Sequence, residues 1–284
     1  MSLTLVQAWT LAKSRLEAAG IEGPVIDARL LVEAAADASR TDIIADPQRL
    51  LSEAQQALLE TYIARRERRA PVSHILGRKG FWKIMVSVTP DVLTPRPDTE
   101  TVVERALALF PEGRAFSVLD LGVGSGAILL AILAERPAAK GLGVDVSEEA
   151  LVVARENAAN LGLAPRTVLL RGDWTSGLGD SGFDLVVSNP PYIPTGDIAG
   201  LEPEVRDHEP RLALDGGADG LDAYRRLAPE ILRVLKPGGR FLVEIGFDQS
   251  AAVEALFRAA GAAEVATARD LANRDRVVMG ARPV

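Results

Sequence analysis

The sequence predicts an α/β protein, a doubly wound sheet preceded by a small all-helical region and joined to it by a β-hairpin. Three observations predict it. From about Phe116 onward, short apolar runs alternate with helix-length stretches, the pattern of strands buried between two layers of helices. The first of those runs ends in Asp120-Leu121-Gly122-Val123-Gly124-Ser125-Gly126 and a helix follows at once, so a glycine-rich turn lies between strand and helix. Before residue 70, apolar residues recur at helical spacing.

Taken in order, Leu5, Trp9, Ala12, Leu16 and Ala19 lie three or four residues apart, and Gly20 follows as a C-terminal stop. A second helix is expected from about Val25 to Ala36. A third begins near Ser52, where Ser52 and Gln55 have capping-box spacing, and turns Leu58, Leu59, Tyr62 and Ile63 inward. It ends in Arg65-Arg66-Glu67-Arg68-Arg69, which reads as a solvated helix end favoured by the helix dipole. Pro71 breaks the helix. Gly77, Gly80, Phe81, Trp82, Val86 and Val88 then read as a hairpin or linker. Thr94-Pro95-Arg96-Pro97-Asp98-Thr99-Glu100 opens a helix running towards Phe110. Strands are expected at 116–121, 140–145, 167–171, 183–188, 239–246 and 275–281, and the alanine-rich stretch 251–263 reads as helix. The division that follows is a helical region over 1–74, a hairpin linker over 75–94 and an α/β domain over 95–284.

The totals exclude several functions. A length of 284 residues with 48% apolar and 25% charged residues is ordinary for a globular protein of one large or two smaller domains. The net charge of -7 argues against gripping nucleic acid through a dominant basic surface. Cysteine is absent, which removes disulfides, thiolate catalysis and cysteine-based zinc sites and fits a reducing cytoplasm. No apolar run approaches the roughly 20 residues that span a bilayer, and the N-terminus shows no basic leader. A cytoplasmic location is expected.

Chemistry is concentrated at strand ends. The run Phe183–Val187 leads into Ser188-Asn189-Pro190-Pro191-Tyr192, at the edge where open α/β sheets bind ligands. Each proline fixes its own φ and restricts its predecessor, so the segment is a stiff presenter of side chains. It offers an amide oxygen, a neighbouring carbonyl and an aromatic face, which suit a planar group carrying an NH2. An ordinary proline turn is the competing reading.

At the glycine turn, Gly122, Val123, Gly124, Ser125 and Gly126 have the spacing G-x-G-x-G and not the G-x-G-x-x-G of a pyrophosphate loop. Asp120 just before them would repel a diphosphate and meet a cationic amino-acid portion. Asp145 closes the second strand with a carboxylate suited to two ribose hydroxyls. These details favour S-adenosyl-L-methionine over NAD. After the third strand, Asp173 is placed to accept from an adenine amine and Trp174 to pack on the ring, with a helix cap and a core tryptophan as the alternatives.

Together the Asp-Leu-Gly-x-Gly-Ser-Gly loop, the acidic end of strand two, Gly-Asp-Trp and Asn-Pro-Pro-Tyr resemble the class I (Rossmann-like) S-adenosylmethionine-dependent methyltransferases. The fuller match is to the protein-(glutamine-N5) methyltransferases of peptide chain release factors. It extends over His74-Ile75-Leu76-Gly77 with Phe81, the segment 94–100, Glu202 to Leu214, and Arg269 to Val278. Ser73-His74 and Thr94 depart from the family's usual residues, and read as packing variation. The resemblance implies a helical N-terminal domain that helps recognise the release factor, and methylation of the glutamine of a Gly-Gly-Gln tripeptide.

The expected chemistry is direct displacement without a metal. Asn189 and the Pro190 carbonyl accept the two amide hydrogens, and Tyr192, braced by Pro191, packs against the amide. His74 and His208 lie outside the motifs; Arg96, Glu100 and Arg206 are secondary candidates for shaping the site. A monomer with neither membrane nor direct nucleic-acid partner is expected. The competing functions are an adenine-N6 or guanine-N2 nucleic-acid methyltransferase and a non-catalytic cofactor-binding regulator.

Overall fold

Capping boxes start three of the N-terminal helices. Thr4, Ser39 and Ser52 each accept from the backbone N–H three residues on, while Gln7, Asp42 and Gln55 return the bond. In this computed structural model, which describes residues 2–284, the helices are α1 (Leu5–Ala18), α2 (Pro24–Ala36), α3 (Arg40–Ala45), α4 (Glu53–Glu67) and α5 (Val72–Leu76). Their apolar faces enclose one core containing Leu5, Leu16, Leu31, Leu59 and Ile63. Leu58 lies outside it and is largely exposed, because it stands one position off the inward stripe.

This helical unit runs to Gly77 and takes in a distant segment, Glu202–His208, which carries α9 (Pro203–Arg206). The basic run at the end of α4 is therefore only partly solvated. Arg66 is buried between Asp27 (2.7 Å) and Glu204 (2.8 Å), and Arg65 donates to the carbonyls of His74 and Ile75. Desolvated guanidinium groups need such partners, which sequence spacing alone does not disclose.

The second unit holds Arg78–Leu201 and Glu209–Val284. It opens with an antiparallel hairpin, β1 (Arg78–Phe81) and β2 (Ile84–Ser87), followed by α6 (Glu100–Leu109). Then come β3 (Ser117–Leu121), α7 (Ala127–Glu135), β4 (Lys140–Asp145), α8 (Glu148–Asn160), β5 (Thr167–Arg171) and β6 (Phe183–Ser188). The chain ends with α10 (Asp222–Val234), β7 (Leu235–Glu244), α11 (Ser250–Ala259), β8 (Ala263–Arg269) and β9 (Asp275–Ala281).

The seven strands stand in the order β5-β4-β3-β6-β7-β9-β8. Pairing is parallel from β5 through β7, while β9 is antiparallel to both its neighbours. This is the doubly wound sheet expected. The sequence reading had no strand at 263–269, because Ala263, Ala266 and Ala268 suppress the β-branched signal of an edge strand.

Successive residues of a strand face opposite layers. Val118, Leu185, Val187 and Leu242 join the core on the α6–α7–α8 face; Leu119, Leu121, Val186, Phe241 and Val243 join the core on the α10–α11 face. The chain turns one way from β3 to β4 and the other way to β6. That is the topological switch point, and the loops after β3 and β6 meet there.

Candidate active site

The loop after β3 needs its glycines. Gly122, Gly124 and Gly126 have φ of 74°, 52° and 82°, a region that side chains rarely adopt. Asp145, at the end of β4, locks the loop: its Oδ2 accepts from the Gly124 N–H (2.8 Å) and its Oδ1 from the Ser147 N–H (3.0 Å). Buried Asn157 of α8 supports the loop from behind, donating to the carbonyls of Ser125 (2.9 Å) and Ser87 (3.0 Å).

A cavity of about 550 Å³ opens in front of this loop. Gly122, Val123, Gly124, Ser125, Asp145, Asp173, Trp174, Asn189 and Pro191 all line it, with Arg96 and Thr99 on a further wall and Pro210, Leu212 and Ala213 on another. Trp174, itself at φ 54°, stands so close to Gly122 that a Cβ there would lie 3.5 Å from its ring. Asp173 lines the cavity while its Oδ1 accepts from Arg226 (2.9 Å), an exposed pair.

Asn189 donates through Nδ2 to Thr99 Oγ1 at 3.4 Å. Pro190 is buried behind it and, with Tyr192, does not line the cavity wall. Burial first, and then the Glu244 carboxylate, hold the Tyr192 phenol well above its ordinary pKa of 10. It stays protonated at any physiological pH.

Asp120 is placed otherwise than expected. It shares strand parity with Val118, so its side chain turns into the α7 layer, where Oδ2 accepts from the Leu129 N–H (3.2 Å). It is buried, it does not line the cavity, and burial pushes its pKa up to about 8. Of the secondary candidates, only Arg96 lines the cavity, bridged to buried Glu209 at 2.7 Å. Glu100 instead accepts from the Trp82 N–H (2.8 Å), and Arg206 pairs with Asp207 within the helical unit.

Sequence reading also missed the support of the Asn-Pro-Pro-Tyr loop. A Cβ on Gly216 would sit 2.8 Å from Tyr192 Cα and 2.9 Å from the Pro191 carbonyl oxygen, and one on Gly220 would collide with the Tyr192 carbonyl oxygen. Gln249 donates to that same oxygen at 3.0 Å. The signal was Gly216-Gly217-x-x-Gly220, glycines that admit a second backbone.

Residues 7–77 match the PrmC N-terminal domain and residues 113–270 a methyltransferase domain. A release factor glutamine methyltransferase of Caulobacter vibrioides is 70% identical over 282 residues, 99% of this chain and 98% of its own. The chain belongs to the release factor glutamine methyltransferases. Another member, from Rhodospirillum rubrum, is 47% identical over 94% of this chain and 82% of its own. A crystal structure of a methyltransferase from Pyrococcus furiosus is 18% identical, covers 70% of this chain and 89% of that one, and superposes with a TM-score of 0.52. It shares the class I methyltransferase fold. No helix among the described residues of this methyltransferase is long and apolar enough to cross a membrane.

Proposed function

We propose that this enzyme transfers a methyl group from S-adenosyl-L-methionine to the side-chain amide nitrogen of the glutamine in the Gly-Gly-Gln motif of peptide chain release factors. The observation that carries the reading is that Asn189 and the glycine loop line one cavity, at the switch point of the sheet. On this reading an amide-binding side chain and a nucleoside-binding loop share one cavity.

The cavity suits the cofactor. Its volume lies within the roughly 300–1,000 Å³ of small-molecule sites. Asp91, Asp145, Glu149 and Asp173 line it against the single cation Arg96, a balance that favours a ligand with hydroxyls and positive charge over a diphosphate. Asp145, its rotamer held by two backbone N–H groups, keeps lone pairs on both oxygens for the ribose hydroxyls. Trp174 and Gly122 provide a flat apolar wall beside Asp173 for the adenine.

When bound, S-adenosyl-L-methionine supplies an electrophilic methyl group and leaves as S-adenosyl-L-homocysteine. The protein's task is to aim a poor nucleophile. Asn189 commits Nδ2 to Thr99, so Oδ1 is the end left to accept one amide hydrogen, and the Pro190 carbonyl accepts the other. Held in this way, the substrate nitrogen turns its lone pair to the methyl carbon, and the acceptors stabilise the positive charge that develops on nitrogen. Tyr192, buried off the cavity wall, braces the loop and does not act as a base, since its phenol does not ionise. The surplus proton passes from the nitrogen to water after transfer.

Incubation with labelled S-adenosyl-L-methionine and, separately, release factor, DNA and ribosomal RNA tests this function. Label is expected in the release factor alone; uptake by either nucleic acid with none in release factor contradicts it.

A further inference from the structure

An asparagine side chain has an accepting end and a donating end of nearly the same shape. It receives an NH2 group only if the oxygen faces outward. In this protein Nδ2 is held by Thr99 Oγ1, yet a threonine hydroxyl both donates and accepts, so Thr99 alone does not decide which end of Asn189 it takes. What lies behind Thr99 decides it.

That neighbour is Glu244, the last residue of β7. Strand parity turns its side chain, like that of Leu242, towards the α6 side of the sheet, where Thr99 stands just before α6. Glu244 is 1% exposed, and its Oε2 has no hydrogen-bond partner. The hydroxyls of Thr99 and Tyr192 face its carboxyl and favour the ionised form, as does Arg276 of β9, while Asp98 opposes it. Arg276 is committed elsewhere, to Asp270 (3.2 Å), Asp98 (3.0 Å) and the Ile245 carbonyl (3.3 Å). From α10, Tyr224 donates to the Glu244 backbone carbonyl (2.9 Å) and leaves the carboxyl alone. A buried carboxyl with no cation bonded to it stands next to the hydroxyl that holds Asn189.

We infer that Glu244 is a positioning residue which, through the Thr99 hydroxyl, sets which end of the Asn189 amide faces the cavity. An ionised carboxylate only accepts. It draws the single Thr99 proton to itself, leaves the Thr99 lone pairs to Nδ2, and so presents Oδ1 to the substrate. A protonated Glu244 donates to Thr99 instead. The Thr99 proton then goes to Asn189 Oδ1, the amide turns over, and its NH2 meets the NH2 of the substrate. Burial, the largest influence, brings the Glu244 pKa up to about 7, so both states are reached near neutrality.

The inference rests on the methyl-transfer reading, and its test separates the two. The kcat and KM for release factor methylation are measured from about pH 5.5 to 8.5 in wild type, Thr99→Val, Thr99→Ser and Glu244→Gln, with cofactor affinity by calorimetry. Wild-type kcat should rise with pH about a midpoint near 7. Thr99→Val should lower kcat on the order of tenfold at the alkaline end and remove that rise. Thr99→Ser should recover most of the rate and the rise; Glu244→Gln should abolish the rise. Independently of turnover, the Asn189 side-chain amide signals in ¹H–¹⁵N spectra, assigned by their absence from Asn189→Ala, should titrate about that midpoint in wild type and stay fixed in Glu244→Gln. A rise that survives in Glu244→Gln, or a Thr99→Val enzyme with wild-type kcat, overturns the inference. If Glu244→Gln does not fold, the two Thr99 variants decide it. Failure of wild type to methylate release factor defeats the functional reading, while the amide titration still reports on the relay.

Discussion

Asp145 carries two loads, since the same carboxylate that locks the Gly124 N–H is the proposed ribose acceptor. Asp145→Ala should therefore weaken S-adenosyl-L-methionine binding by roughly one to two orders of magnitude, about 1.5–3 kcal/mol for charge-assisted bonds, measurable by calorimetry on the folded variant. Unchanged affinity would remove Asp145 from the site. At Tyr192 the raised pKa separates packing from proton transfer. Tyr192→Phe should keep most of kcat and Tyr192→Ala should lose much more; equal damage from both would point to a role for the hydroxyl. The placing of Asn189, Asp145, Gly122 and Gly124 on the cavity was legible in the sequence because each stands at a strand end or a forced turn, where residue type and position restrict each other. Asp120 was misread because its neighbours suggested the cavity while strand parity turned it into the α7 layer. Thr99 was read only within the segment 94–100 and Glu244 only within a strand, since their meaning comes from contacts across the fold.

The elements hold the site from both sides. The turn between the Asn-Pro-Pro-Tyr loop and α10 packs Gly216 against Pro191 and Tyr192 backbone. Gly216→Ala places a methyl 2.8 Å from Tyr192 Cα, where backbone cannot yield cheaply, so kcat should fall while cofactor affinity changes much less. Parallel losses of both in a stable variant would contradict this. In the helical unit, Glu204→Ala leaves Arg66 with Asp27 alone. Loss of one partner of a buried cation should cost that unit about 1–3 kcal/mol, read from urea unfolding. An unchanged midpoint would show that Asp27 suffices. The longer N-terminal helices and the central strands were readable from period and capping, whereas the short α3 and α5 were not read. The edge strand β8 and the burial of Arg66 were not, the first for want of β-branched residues and the second because its partner lies 138 positions away.

Over the whole molecule, the sheet supplies a common physical logic, in which one register feeds two helix layers and the switch point leaves a cavity at the strand ends. Burial of carboxyls is part of its cost. Asp120 has a folded pKa of about 8 against an ordinary 3.8, so the folded state holds a proton that the unfolded chain releases between those values. Stability then falls as pH rises through that window, by at most about 1.4 kcal/mol per unit. Asp120→Asn should be more stable than wild type by a margin that grows from about pH 4 to 8 and levels off above; a margin independent of pH would show that Asp120 is ionised in the fold. Glu244, raised to about 7 from 4.5, acts in the same direction over its own narrower window.

The central claim is that Asn189 aims the substrate nitrogen at the methyl group. Its most direct test is single-turnover methyl transfer by Asn189→Ala, saturated with S-adenosyl-L-methionine, to intact release factor, with the Gly-Gly-Gln peptide weighed by mass spectrometry. The rate should fall on the order of 10²-fold or more, as for loss of one preorganised transition-state hydrogen bond, with cofactor affinity measured separately. A saturated Asn189→Ala enzyme that methylates the glutamine at the wild-type rate contradicts the account.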